Sequence, residues 1–246
     1  MRRGVTMRRM EIVDAGPPSA AQIAERRERL EARLRAAAED GGHDPARLRI
    51  VAVTKTWPVE VARSALYAGL ALLGESRVQE AEPKVAALPA AEWHLVGRLQ
   101  SNKVRRAISL FAVIHSVDSL DLLRRIEGIA AEGSPAPRLL LQVNLTGSPA
   151  TAGMAPSQVL AADTAAAMAE LRATRVIGLM TIARNGADAG EARATFGALR
   201  GLRDRLQGAS GIALPELSMG MSADAEAAAA EGATLVRIGT ALFGSR

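Results

Sequence analysis

Hydrophobic residues follow two alternating patterns along this chain. Residues 20–40, AAQIAERRERLEARLRAAAED, place Ile23, Leu30 and Leu34 at helical spacing; Ser19 is a fitting cap and Gly41-Gly42 a fitting stop. Eight short apolar runs follow: LRIVAVT (48–54), LALLGE (70–75), WHLVG (93–97), AVIHSV (112–117), RLLLQVN (138–144), RVIGLMT (175–181), ELSM (216–219) and TLVRIG (234–239). Several are near-continuous rather than alternating, as expected of strands buried on both faces of a parallel sheet. The stretches between them have helical composition and punctuation. One runs from Pro58 to Ala68 and ends at Gly69; another runs from Ser222 to Glu231 and ends at Gly232. Residues 1–18 show no periodicity and contain Gly16, Pro17 and Pro18, so they are expected to form a flexible, arginine-containing tail.

From Leu48 to Thr234 the runs recur at about 27 residues per unit, the period of a βα repeat. Eight such units predict an α/β fold, a single (β/α)8 TIM-type barrel over residues 19–246 with an extra N-terminal helix. An open doubly wound sheet is the alternative, but the chain has no GxGxxG turn, no GxxxxGK[ST] loop and no GxSxG elbow. ELSM is the least secure strand, being short and preceded by Pro215.

Composition narrows the chemistry. The 246 residues are 48% hydrophobic and 23% charged, a globular balance. There is no cysteine, which excludes thiolate catalysis, disulfides and cysteine-based zinc sites. Three histidines (His43, His94, His115) without an HExxH pairing make a metal site unexpected. No run of about eighteen apolar residues offers a membrane span. The arginines of the N-terminus are followed by no apolar segment, so a secretory signal is not expected and the cytoplasm is the default location. The net charge is +5, with Arg2, Arg3, Arg8 and Arg9 in the first ten residues. Of 31 basic residues only Lys55, Lys84 and Lys103 are lysines. Arginine stays protonated, whereas a lysine amine can lose its proton and attack a carbonyl, so each lysine here is a candidate for its amine.

In such a barrel the reactive groups collect at the C-terminal ends of the strands. Lys55 ends the first run, VAVTK, on the face shared by Val51 and Val53. Apolar neighbours at that address are expected to desolvate its amine. The seventh run leads into SMGMSADAE, where Ser222 either serves as a plain helix cap or joins backbone N–H groups in binding an anion. After the eighth run, RIGTALFG supplies Gly239, which permits close backbone approach, and the Thr240 hydroxyl. Arg237 lies in that last strand, which neighbours the first once the barrel closes. Lys55, Arg237 and two candidate phosphate loops therefore converge from opposite ends of the chain. His94 sits near a strand start, where a satisfied core histidine is commoner than a catalytic one, and it is left unassigned.

The set VAVTK, LLGESRVQE, WHLVGRLQSNK, HSVDS, LLQVN, GLMTI, LSMGMSADAEAA and VRIGTALFG resembles one family throughout residues 20–246. These are the pyridoxal phosphate homeostasis proteins of the YggS/PROSC type, single-domain relatives of the alanine racemase barrel. The resemblance implies a pyridoxal 5′-phosphate (PLP) protein with the cofactor held as an aldimine on Lys55. It implies that Ser222, Gly239 and Thr240 bind the phosphate and that Arg237 faces the pyridine nitrogen. Two positions depart from the family pattern: Ser76 stands where relatives usually carry Asn, and Thr151 where they usually carry Lys.

Three function classes compete. A PLP carrier is favoured, with no catalytic residue assigned and without substantial amino-acid turnover. A racemase needs an acid–base group on each face of the cofactor; its opposite tyrosine comes from a second domain that this chain is expected to lack, and Tyr67, the one tyrosine, is placed outside the barrel. Arg237 cannot hand a proton to the ring nitrogen, which makes the ring a poorer electron sink. A nucleic-acid binder would want a basic stripe with stacking aromatics; the chain has six aromatics, and QSNKVRR (100–106) reads as a solvated helix start. The expected partners are PLP, free amino acids and, transiently, PLP-dependent apoenzymes, with no nucleic acid, no membrane and a monomeric state.

Overall fold

The computed structural model describes residues 16–133, 135–149 and 151–245. Most of the expected tail, including its four arginines, lies outside them. The first element, α1 (Ala20–Asp40), starts at Ser19, whose hydroxyl accepts from the Gln22 N–H while the Gln22 side chain accepts from the Ser19 N–H. That reciprocal cap satisfies two otherwise orphaned donors. Ile23, Leu30, Leu34 and Ala38 form its buried stripe.

Eight strands follow: β1 (Arg49–Val53), β2 (Leu72–Glu75), β3 (Glu92–Leu95), β4 (Val113–Val117), β5 (Arg138–Gln142), β6 (Arg175–Met180), β7 (Glu216–Ser218) and β8 (Leu235–Ile238). They pair in parallel in sequence order, and β8 closes on β1 through Val51↔Arg237 and Ala52↔Ile238. The intervening helices are α2 (Val59–Tyr67), α3 (Val78–Ala87), α4 (Val104–Ile108), α5 (Leu120–Ala131), α6 (Pro156–Val159), α7 (Ala162–Glu170), α8 (Ala189–Ser210), α9 (Ala225–Ala230) and α10 (Thr240–Phe243). The barrel expectation holds, with the extra helix in place, and ELSM does form a strand.

Strand parity divides the core. Ile50, Ala52, Leu73, Trp93, Leu95, Ile114, Leu217 and Ile238 face the helices in one large apolar cluster. Val113, Leu140 and Met180 form a smaller second cluster on the opposite strand face, inside the barrel. Helix α1 packs against α2, α9 and α10, and Arg26 and Arg27 donate to the carbonyls of Leu242 and Ala68 at 2.9 and 2.6 Å. The cluster in QSNKVRR is spent on surface ion pairs, Arg105 to Glu132 and Arg106 to Glu82. Tyr67 is 76% exposed on α2, outside the barrel as expected. Among the described residues no helix is long and apolar enough to cross a membrane.

Candidate functional site

The β1–β8 seam brings the two halves of the expected site to one end of the barrel. Strand β1 stops at Val53; Thr54 is buried, and its N–H extends the ladder to the Gly74 carbonyl at 2.9 Å. Lys55 then emerges at the mouth and is exposed. The expected desolvation by apolar strand neighbours is therefore corrected. The strand ends two residues earlier, and the chain turns outward before apolar neighbours can enclose the side chain. The turn is tight: the Trp57 N–H returns to the Thr54 carbonyl at 3.1 Å, and Thr56 has φ of 64°. A β-branched residue in the left-handed region costs on the order of 1–3 kcal/mol, so the surroundings must hold this loop.

What holds it is a buried cluster. The Lys84 ammonium, on α3, donates to Glu75 Oε1 at 2.5 Å and to the Thr54 carbonyl at 2.8 Å, while the Thr54 hydroxyl donates to the same Glu75 oxygen at 2.6 Å. Glu75 and Lys84 are 0% and 5% exposed. Burial pushes the Glu75 carboxyl up, against the pull of its Lys84 and Thr54 hydrogen bonds. Its second oxygen is buried without a partner. Nine residues separate the pair, a spacing with no local meaning. The one signal in the sequence is that Lys84 is among three lysines in an arginine-rich chain.

Arg237 points into the barrel from β8 and is buried. Its guanidinium donates to Ser218 Oγ at 2.7 Å and to the Thr181 carbonyl at 2.9 Å, both neutral acceptors. No carboxylate among the described residues forms an ion pair with it. Burial lowers its pKa to about 10, opposed by Asp224, so it stays cationic at neutral pH. A buried cation held only by neutral dipoles is poorly compensated, and a ligand offering an electron pair or a negative charge fits it.

The loops after β7 and β8 are stitched together. Gly220 has φ of 89°, and a Cβ there would meet the Ala228 methyl at 2.5 Å, so SMGMS requires glycine at that point. Ser222 is not a helix cap, because α9 begins only at Ala225 with Asp224 before it. Instead Ser222 Oγ accepts the Ala241 N–H at 3.2 Å, while Asp224 accepts the Met221 N–H at 2.6 Å. Ser222 thus stands beside Gly239–Ala241 with its own hydroxyl proton still to donate. Gly239 lies against the Val53 carbonyl, where a Cβ would sit at 3.5 Å, and Thr240 is exposed. The Trp57 and Phe243 rings pack in a tilted arrangement at 6.3 Å between centroids, another link between the β1 and β8 loops. Lys55, Arg237, Ser222, Gly239 and Thr240 therefore all lie at or below the same mouth.

Of the two departures, half-buried Ser76 follows β2, its carbonyl 2.2 Å from where a Cβ on Gly97 would lie. Thr151 lies in the loop after β5, its carbonyl accepting from Asn144 at 2.9 Å. His94 is 1% exposed and bonded through both ring nitrogens, to His115 at 2.8 Å and Glu92 at 2.9 Å, a satisfied core histidine.

Comparison with known proteins gives the arrangement a family context. Residues 26–246 match the alanine racemase N-terminal domain family. A pyridoxal phosphate homeostasis protein of Pseudomonas aeruginosa is 42% identical over 227 residues, covering 91% of this chain and 96% of that protein. The structure of PipY from Synechococcus elongatus, solved with PLP bound, is 41% identical with a TM-score of 0.81, covering 90% of this chain and all of that one. An alanine racemase from Clostridium difficile shares the fold at 16% identity and a TM-score of 0.70, with 92% of this chain covering 57% of the racemase.

Proposed function

We propose, from the premise that this chain belongs to the pyridoxal phosphate homeostasis proteins within the alanine racemase N-terminal domain family, that it stores and delivers PLP inside the cell. The observation that carries this reading is the convergence at one barrel mouth of an exposed lysine, a buried guanidinium that pairs with no carboxylate among the described residues, and two loops tied by Ser222. When bound, the cofactor supplies an aldehyde whose oxygen leaves as water on condensation with the Lys55 amine. The chain's own groups do the rest. Arg237, cationic and fixed by Ser218 and Thr181, offers its remaining N–H donors to the ring nitrogen. The Ser222 and Thr240 hydroxyls donate to the phosphate, and Gly239 lets the backbone come close.

Storage fits these groups better than turnover. Lys55 serves one face, and Tyr67 is remote on the outer surface of α2. Arg237 keeps its proton and so withholds it from the ring. An exposed Lys55 is also open to exchange with free amino acids and with PLP-dependent apoenzymes as recipients. The relative from Pseudomonas aeruginosa is named for homeostasis. The test is borohydride reduction of PLP-treated protein followed by peptide mapping. The pyridoxyl group is expected on Lys55, with Lys55→Ala abolishing the adduct. Its appearance on Lys84 or Lys103 would overturn the assignment.

A further inference from the structure

A file of polar side chains crosses the barrel interior beneath the mouth. Arg237 Nη1 contacts Ser218 Oγ at 2.7 Å, Ser218 Oγ contacts His115 Nδ1 at 2.8 Å, His115 Nε2 contacts His94 Nδ1 at 2.8 Å, and His94 Nε2 contacts Glu92 Oε1 at 2.9 Å. Four strands contribute: β8, β7, β4 and β3. Arg237, Ser218, His115 and His94 are each at most 5% exposed. Glu92 lies at the far end of the barrel, where its side chain is 34% exposed and Arg138 contacts the same carboxylate oxygen at 2.6 Å. Barrel interiors are normally filled with branched apolar residues, so a file of this kind calls for a reason.

Chemistry fixes the direction of every bond in it. The His94 hydrogen bond and the Arg138 charge hold the Glu92 carboxyl down at about 2 despite burial, so it is ionised and can only accept. His94 Nε2 therefore carries a proton. Burial keeps His94 neutral, against the pull of Glu92 and helped by Arg138 and Arg49, so its Nδ1 accepts from His115 Nε2. Burial, with His94, Arg237 and Arg138 nearby, holds His115 well below the usual histidine range, so its Nδ1 accepts from the Ser218 hydroxyl. Ser218 Oγ in turn accepts from Arg237. All four bonds point from Arg237 toward Glu92, and aligned bonds of this kind polarise one another.

We propose that Ser218, His115, His94 and Glu92 are positioning residues, a one-way hydrogen-bond chain that orients the Arg237 guanidinium and couples the charge at the barrel's far end to the cofactor at its mouth. The proposal rests on the reading of Arg237 as the partner of the ring nitrogen. It gives the two histidines a task that packing alone would not demand.

Two measurements test it. The first needs no cofactor: imidazole nitrogen NMR of the unloaded protein is expected to show His94 and His115 as neutral Nε2–H tautomers at neutral pH. An Nδ1–H tautomer at either would break the chain and overturn the proposal. The second compares wild type with Ser218→Ala, Ser218→Thr and Glu92→Gln after PLP loading, reading the absorbance maximum, the pH midpoint of the bound chromophore and the dissociation constant. Ser218→Ala is expected to weaken PLP about tenfold, the loss of one hydrogen bond to a charged group, and Ser218→Thr to restore it. Glu92→Gln, at the opposite end of the barrel, is expected to shift the absorbance maximum and pH midpoint. A purely structural role would lower thermal stability and leave both unmoved. If wild type takes up no PLP on Lys55, the cofactor reading falls and the coupling with it; normal uptake with unshifted spectra in Glu92→Gln and Ser218→Ala overturns the coupling alone.

Discussion

Replacing Lys84 with methionine removes the amine while keeping much of the chain volume, which isolates the buried pair behind Lys55. Two charge-assisted bonds disappear, to Glu75 at 2.5 Å and to the Thr54 carbonyl at 2.8 Å, and the fully buried Glu75 is left with the Thr54 hydroxyl alone. Breaking one partner of a buried ion pair costs about 3–5 kcal/mol. For a chain of this length that is a drop of roughly 10 °C in unfolding temperature. The pH dependence identifies the cause. Glu75 already has a raised pKa in the folded state, so the native protein binds its proton more tightly than the unfolded chain does. Its contribution is complete below the ordinary glutamate range and is lost as pH climbs through the raised value. Without Lys84 that value rises further, so Lys84→Met is expected to lose more stability than wild type between mildly acidic and neutral pH. Urea unfolding across that range reads it directly. A cost below about 1 kcal/mol, or a variant whose deficit shrinks as pH rises, would refute the reasoning.

Other outcomes follow from the same geometry. Ser222→Ala combined with Thr240→Ala is expected to weaken PLP roughly ten- to a hundred-fold, measured by absorbance titration; an unchanged constant would move the phosphate elsewhere. Glu127 accepts from the Arg172, Ala173 and Thr174 N–H groups and the Thr174 hydroxyl, and although burial pulls the other way these bonds bring its pKa to about 2. Its contribution is present above the ordinary glutamate range and lost as pH falls toward about 2, so Glu127→Gln is expected to flatten the acid limb of the stability curve. In heavy water, α-proton exchange across a panel of amino acids is expected to be slow; fast, stereoselective exchange that depends on Lys55 would make the protein an enzyme.

The barrel was legible because its strands are buried on both faces and announce themselves as near-continuous apolar runs such as LLLQV and VIGLM. The register shifts between Ile114 and Val117 and between Leu139 and Leu140 leave no comparable mark, since register is settled by neighbouring strands. Lys55 and Arg237 were legible from their places at the two ends of the seam. The exposure of Lys55 was not, because a strand's last residue depends on where the following turn folds away. Ser222 was ambiguous for a similar reason: whether a hydroxyl caps its own helix or reaches Ala241 depends on a loop nineteen residues on. Strand parity alone places His94 and His115 inside the barrel, but their link to Ser218 needs the third dimension.

The β1–β8 seam has a kinetic meaning. Val51 and Arg237 meet only after nearly the whole described chain has been laid down, and pairing at such separation is slow because loop closure must precede any reward. Lys55 follows the first strand, whereas Arg237, Ser222 and Thr240 belong to the last two units. A partly folded chain therefore holds half of the candidate site, and on the proposed reading affinity for the cofactor arises with ring closure. Any ligand seated across that seam binds the finished barrel and not its precursors, so its concentration stabilises the completed fold by mass action. The vitamin-derived cargo would act as a clasp, making the lifetime of the container follow the supply of what it contains.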